Sequence, residues 1–295
     1  MDKVLVDDMR NLFLLNVTHS LECVLDQIQN IKKFVSDEEY IVIHISGSTK
    51  EQFLKESEEK GIDFFSMEHE NVIVNPSSVM TERGVLLTEA FISSFDFAKE
   101  KFEFDKVVLN SSNQLYIRRG LKGHLAKHDA GVHRVISSGE GGMYSYQSWA
   151  RDMDNAEHQF LRDVFQEPRR FYWSFHEGSF FKKQDFELIS ELFKRHFPKS
   201  LVSSEEQTLF SLYNNIFTDS NASQTTVWMN IYCDIPEIDA IDLIRNRRYK
   251  ELESAVGTAF GHPREAMACG DHIFGIKRVE RDINNKTRKY IQTLD

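Results

Sequence analysis

Short aliphatic runs alternate with longer stretches of helical period through the first 112 residues, and no other feature of the chain limits its fold as much. "LFLLNVTH" (12–19), "EYIVIHIS" (39–46), "NVIVN" (71–75) and "FDKVVLNSS" (104–112) are brief and rich in β-branched or aliphatic residues, as buried strands are. Between them lie "SLECVLDQIQNIKKFV" (20–35), the polar "STKEQFLKESEEKG" closed by Gly61, and "GVLLTEAFISSFDFAKEK" (84–101), all with helical spacing. Strands that are apolar on both sides and alternate with helices predict an α/β domain, with a mostly parallel central sheet and helices on both faces. Ligands of such sheets bind beyond the carboxyl ends of the strands where strand order reverses, which directs attention to "HISGS" (44–48) and "NSSNQ" (110–114).

The pattern weakens from about 120 to 170, where "SSGEGGMYSYQSW" (137–149) reads as a mobile Gly- and Ser-rich loop. Order returns in "RRFYWSFHEGSFFKKQDFELISELFKRHF" (169–197), an aromatic strand running into a helix that stops before Pro198. "TTVWMNIYC" (225–233) reads as one more strand, "IDAIDLIRNRRYKELESAVGTAF" (238–260) as a polar helix, and "HIFGIKRVERD" (272–282) as a basic tail. With 295 residues, five prolines and no repeat, the whole of 1–295 is expected to form a single domain.

Charge and cysteine usage narrow the function class. A formal charge of -10 excludes a general nucleic-acid binder, which needs a basic surface, but leaves room for a local basic pocket. The start "MDKVLVDDMRNLFLL" carries acids where a signal peptide needs a cationic segment, no run of eighteen apolar residues occurs, and the three cysteines lack CxxC spacing. A cytoplasmic protein is the expectation, so the sequons at Asn16, Asn110, Asn221 and Asn285 carry no weight.

Several reactive signatures are absent: there is no GxGxxG after the first strand, no GxxxxGK[ST] and no GxSxG, and "HLAKH" (124–128) lacks the Glu of HExxH. Four other segments, taken in order, resemble glycosyltransferase family 14, the core-2/I-branching N-acetylglucosaminyltransferases and their xylosyltransferase relatives. "EYIVIHISGSTKEQF" is similar to the family's strand and His-x-Asp turn, with His44 matching and Ser46 in place of Asp. "FDKVVLNSSNQLYI" resembles the strand leading to Ser-Gly-x-Asp-x-Pro, reduced here to Asn110, Ser111, Ser112 and Asn113. "HEGSFFKKQDFELISELF" with "SSEEQTLFSL" resembles the Gly-Ser-x-x-aromatic helix and the Pro-Asp-Glu helix start, and "DHIFGIKRVERD" the His-Leu-Phe-Ala-x-Lys-Phe segment. Together they span about residues 10 to 280.

The resemblance implies a GT-A-type nucleotide-sugar transferase that inverts the anomeric centre and works without a metal or other cofactor. Fixed cations would then stabilise the departing diphosphate. It gives Lys277 that role, with Arg278, Arg281, Arg245, Arg247 and Arg248 as candidates for a second cation, although each arginine also reads as part of a solvated helix face. His44, Ser46, Asn110 and Ser111 become donor-binding candidates. Glu206 aligns with the family's general base and Glu205 with its acidic neighbour. A structural reading stands beside this, since Ser203-x-x-Glu206 also satisfies a capping box. Glu177 is a further candidate for contact with sugar hydroxyls, against its alternative as a surface acid before a turn. Asn113, Gln114, Tyr144, Tyr146, Trp149 and Trp173 are candidate acceptor contacts. The implied donor is a UDP-linked N-acetylglucosamine or xylose, and the implied acceptor a carbohydrate or lipid-linked glycan, with peripheral membrane association open. Two alternatives remain: a metal-dependent transferase using Asp152 and Asp154 of "DMD", and a catalytically silent sugar- or nucleotide-binding protein.

Overall fold

The computed structural model describes residues 8–17, 20–62, 71–77, 79–81, 86–136, 159–167, 169–197, 206–229, 237–249, 273–277 and 279–295. The first strands and helices form where the apolar runs predicted them: β1 (Asn11–Val17), α1 (Leu21–Phe34), β2 (Tyr40–Ile45), α2 (Lys50–Glu59), β3 (Val72–Val74), α3 (Leu87–Lys99) and β4 (Lys106–Ser111). β1 pairs in parallel with β2 on one side and β4 on the other, and β2 pairs in parallel with β3. Strand order therefore reverses between β1 and β4.

Period-two geometry explains why these strands are apolar throughout. Phe13, Leu15, Val17, Ile41, Ile43 and Val108 point to one face and pack with Leu21, Val24, Ile28, Ile31 and Phe34 of α1. Leu12, Leu14, Val42, Val107 and Leu109 point to the other, against Phe91 and Phe95 of α3. Each such side chain contributes about 1.5–3 kcal/mol when fully buried. The expected α/β architecture, a largely parallel central sheet with helices on both faces, is present.

The second half departs from the simple alternation. A short helix α4 (Leu121–Lys127) and strands β6 (Ala130–Gly131) and β7 (Val135–Ile136) occupy the stretch where the sequence pattern weakens. The aromatic strand expected around 171–182 is two strands, β8 (Tyr172–Trp173) and β9 (Phe180–Lys182), in different sheets. Gly178 turns the chain between them at φ +68, and a Cβ there would lie 2.5 Å from the backbone nitrogen of Val227, so only glycine fits. β9 runs antiparallel to β4 and leads directly into α5 (Lys183–His196). α6 (Thr208–Ile216) covers the same face as α3 and α5, and β10 (Ala222–Ser223) completes the sheet order β10-β6-β9-β4-β1-β2-β3.

"HIFGIKRVERD" is not a tail. Gly275–Lys277 form β12, which pairs with β11 (Val227–Met229) and, antiparallel, with β5 (Gln114–Tyr116) in a separate three-stranded sheet, so "TTVWMNIYC" contributes its strand there rather than to the central sheet. Helices α7 (Glu237–Arg245) and α8 (Lys286–Thr293) pack on the α1 side. α1 and α8 are joined by an ion pair between Asp26 and Arg288, both almost wholly buried.

Candidate active site

Amide side chains of α1 fix the corner after β4. Asn30 replaces a missing strand neighbour for β5, its Nδ2 donating to the Tyr116 carbonyl at 2.9 Å and its Oδ1 accepting from the Tyr116 N–H at 2.7 Å. Gln27 Nε2 donates to the Ser111 carbonyl at 2.7 Å. Inside this corner Asn110 is fully buried, with its Oδ1 accepting from Gln114 and, at 2.8 Å, from the Tyr116 hydroxyl. Ser111 N–H donates to Gln114 Oε1 at 3.1 Å. Asn110 and Gln114 thus join β4 to β5, and Gln114, 1% exposed, offers no surface to an acceptor.

β5 in turn carries β12, where Lys277 stands opposite Gln114. The Asn113 backbone carbonyl accepts from the Val279 N–H at 3.0 Å, and Arg281 Nε donates to Ser112 Oγ at 3.1 Å. The Lys277 ammonium pairs with Glu177, whose side chain is wholly buried, which corrects the reading of Glu177 as a surface acid. Gly178 holds Glu177 beside β4, because its N–H donates to the Leu109 carbonyl at 2.9 Å.

His176 Nε2 lies 2.8 Å from Glu177 Oε1. Burial, reinforced by the Lys277 charge and opposed by that of Glu206, pushes the His176 ring down to about 3, so it is neutral at physiological pH. Trp173, on the same segment, donates its indole N–H to Glu206 Oε2 at 2.8 Å, and Ser174 N–H donates to the Glu206 carbonyl at 2.9 Å. Glu206 is held from β8: α6 begins at Thr208 with Gln207 as its N-cap, so Glu206 precedes that helix, and Ser203, the other half of the capping-box pattern, lies outside the described residues. Glu177, Glu206 and Lys277, from three segments, meet around His176, and Trp173, 1% exposed, reaches the group through Glu206 and offers no surface to an acceptor.

The other half of the region is the crevice at the strand-order reversal. Asn16, near the end of β1, is opposite His44 on β2 and Ser111 on β4. Asn16 is 3% exposed, and neither its amide oxygen nor its amide nitrogen has a hydrogen-bond partner among the described residues. His44 is buried, which lowers its pKa, and its Nε2 contacts the Val79 carbonyl at 3.0 Å. Ser46 Oγ accepts from the Thr81 N–H at 3.0 Å, and its own N–H donates to the Val17 carbonyl at 2.9 Å.

Sequence reasoning did not single out Asn16 or His176; the register of the parallel strands makes the first visible, and proximity in space the second. Glu205, Arg278, Tyr144, Tyr146, Trp149, Asp152 and Asp154 lie outside the described residues. The His124 and His128 rings lie 4.6 Å apart, tilted by 43°, with His124 Nε2 2.9 Å from Ser223 Oγ.

No protein-family model matches the chain, and no curated protein sequence matches it. Among solved structures it is similar to the galactosyltransferase LgtC in complex with donor and acceptor sugar analogs, at a TM-score of 0.44 and 11% identity over 96% of this chain and 94% of that one. It is also similar to the apo-form glycosyltransferase GlyE of Streptococcus pneumoniae TIGR4, at a TM-score of 0.36 and 12% identity over 96% of this chain and 59% of that one. S. aureus TarS gives a TM-score of 0.37 and 13% identity over 84% of this chain and 42% of that one. Likenesses this loose do not assign the chain to a family.

Proposed function

We propose that the protein is a GT-A-type glycosyltransferase that moves a sugar, N-acetylglucosamine or xylose, from a UDP donor to a carbohydrate hydroxyl with inversion and without a metal. The observation that carries this reading is the convergence of Glu206, Lys277, Glu177 and Trp173 at the carboxyl end of β4, beside the crevice where strand order reverses. The unpartnered, buried Asn16 amide supports a ligand in that crevice, since such a group costs free energy until something bonds it.

In the proposed reaction the acceptor oxygen attacks the anomeric carbon as the bond from that carbon to the diphosphate oxygen breaks. The bonding pair leaves with the diphosphate, and the acceptor proton passes to Glu206. Trp173 fixes the carboxylate through one oxygen, which reduces the reorganisation needed at the moment of transfer. Lys277 stabilises the charge that develops on the leaving group, as a preorganised cation. Glu177 acts through Lys277, as a buried counter-charge that holds the ammonium in place. Arg281 is a candidate for a second phosphate contact, and acceptors carried on lipid fit a role in surface glycan synthesis.

A panel of nucleotide sugars incubated with the protein, with and without a chelator, tests the reading. Release of free UDP from one donor, undiminished by the chelator, is expected. Turnover that chelator abolishes would assign the reaction to a metal-dependent enzyme, and no turnover of any donor would leave a binding protein.

A further inference from the structure

A cavity of about 500 Å³ opens at the amino-terminal end of β4, the opposite end of that strand from the Glu177–Lys277 pair. Met9, Phe104 and Ala126 give it an apolar floor, and Lys106, Lys182 and Lys183 line it. Lys106 is 6% exposed, and its ammonium donates to the carbonyls of His128 at 2.7 Å and Asp129 at 3.1 Å. Burial and then the neighbouring Lys182 push it down to about 8.

The other two lysines stand where a helix least favours them. Lys182 is the N-cap and Lys183 the first residue of the fourteen-residue α5, the end at which the helix dipole is already positive. The one acid in the first turn, Asp185, is buried, which raises its carboxyl pKa. The lining also carries three carboxylates: Asp105, whose Oδ2 accepts from the Arg10 backbone N–H at 3.0 Å, Glu187, paired with Lys99 at 3.2 Å, and Asp129, paired with Lys182. Lys183 reaches the outlying, 94% exposed Glu103 at 3.0 Å and lies over the Phe104 ring at 4.8 Å. With Lys182 matched by Asp129 and Glu187 by Lys99, the positive charge that remains at this space of ligand size is that of Lys106 and Lys183 with the start of α5, facing Asp105.

We infer that this cavity binds a small phosphorylated anion, a second ligand site apart from the candidate active site. The phosphate meets Lys182, Lys183 and the start of α5, while a carbon skeleton covers Met9 and Phe104. Local conflict between residue choice and helix dipole is what a retained binding site leaves behind. The inference is independent of the glycosyltransferase reading.

Calorimetric titration of the full chain with inorganic phosphate and with glucose 1-phosphate tests it. Saturable binding is expected for both, tighter for the ester, at least about tenfold weaker in the double variant Lys182→Ala/Lys183→Ala, and unchanged in Lys277→Ala. If the double variant does not fold, Lys183→Gln, which retains the alkyl stem over Phe104, takes its place with the same expected direction. Absence of saturable binding for either probe overturns the inference. So does binding that survives in the lysine variants but is lost in Lys277→Ala, which would locate the phosphate at the active site.

Discussion

Glu206→Gln separates proton transfer from folding. The indole N–H of Trp173 donates to the carboxylate at 2.8 Å, and an amide oxygen can take its place with nearly the same shape. A hydrogen bond to a charged acceptor contributes about 1.5–3 kcal/mol and a neutral one about 0.5–1.5, so the exchange costs roughly 1 kcal/mol, less because Glu206 is partly exposed. The backbone bond from Ser174 to the Glu206 carbonyl, 2.9 Å, is untouched. Melting should therefore fall by roughly 2 °C or less. Gln cannot accept the acceptor's proton, and loss of a general base lowers the rate by about a hundredfold or more. The assay is transfer from the donor identified in the nucleotide-sugar panel, with donor affinity measured by calorimetry on the same samples. Transfer at the wild-type rate by a folded Glu206→Gln protein would refute the assignment, and Glu177 is too buried against Lys277 to replace it without rearrangement.

Three further outcomes follow from other contacts. Lys277→Ala should lower transfer by about a hundredfold with no rescue by magnesium or manganese, and a variant that retains turnover would move the leaving-group cation elsewhere. Gly178→Ala forces a left-handed φ on alanine and drives its Cβ against Val227, so denaturant titration should show a loss of roughly 2–5 kcal/mol; an unchanged midpoint would remove the packing argument. Glu39, buried with Oε2 accepting from the Asn11 N–H, is pushed up to about 6 by burial from 4.5, so the native state holds its proton more tightly than the unfolded chain and Glu39 costs stability above pH 6. Glu39→Gln should exceed wild type by about 1–2 kcal/mol at pH 8, an advantage that fades as pH falls from 6 to 4.5; stability curves that stay parallel across that window would contradict it. The comparison must be between the two proteins, because His133 and His176, pushed down to about 4 and about 3, make both lose stability as pH falls below 6.5.

The β1-to-β4 half was legible because its strands are long enough to show an apolar run and its helices bury one clear face. β5, β6, β8 and β9 are two or three residues long and have no period to read; they exist because neighbouring chain supplies their hydrogen bonds. α4 was invisible for a related reason, as "LKGHLAK" is short and contains a glycine. At the candidate site, the family resemblance pointed to Glu206 and Lys277 and residue type to Trp173, but neither showed what holds them. The capping pattern at Ser203 and Glu206 is a sequence match, but α6 starts only at Thr208, and His176 looked like one more ring in an aromatic strand.

The pairing of Asp26 with Arg288 bears on how the chain is made. The partners are 262 residues apart, so α1 carries a buried acid whose counter-ion is synthesised 262 residues later. A nascent chain can close the β1–α1–β2 unit early but must leave that face of α1 hydrated until residue 288 emerges. Docking of α8 is then a late locking step, and an interrupted translation product would keep the sheet's hydrophobic face under a loosely seated helix, the state most exposed to proteases and to association with other unfinished chains.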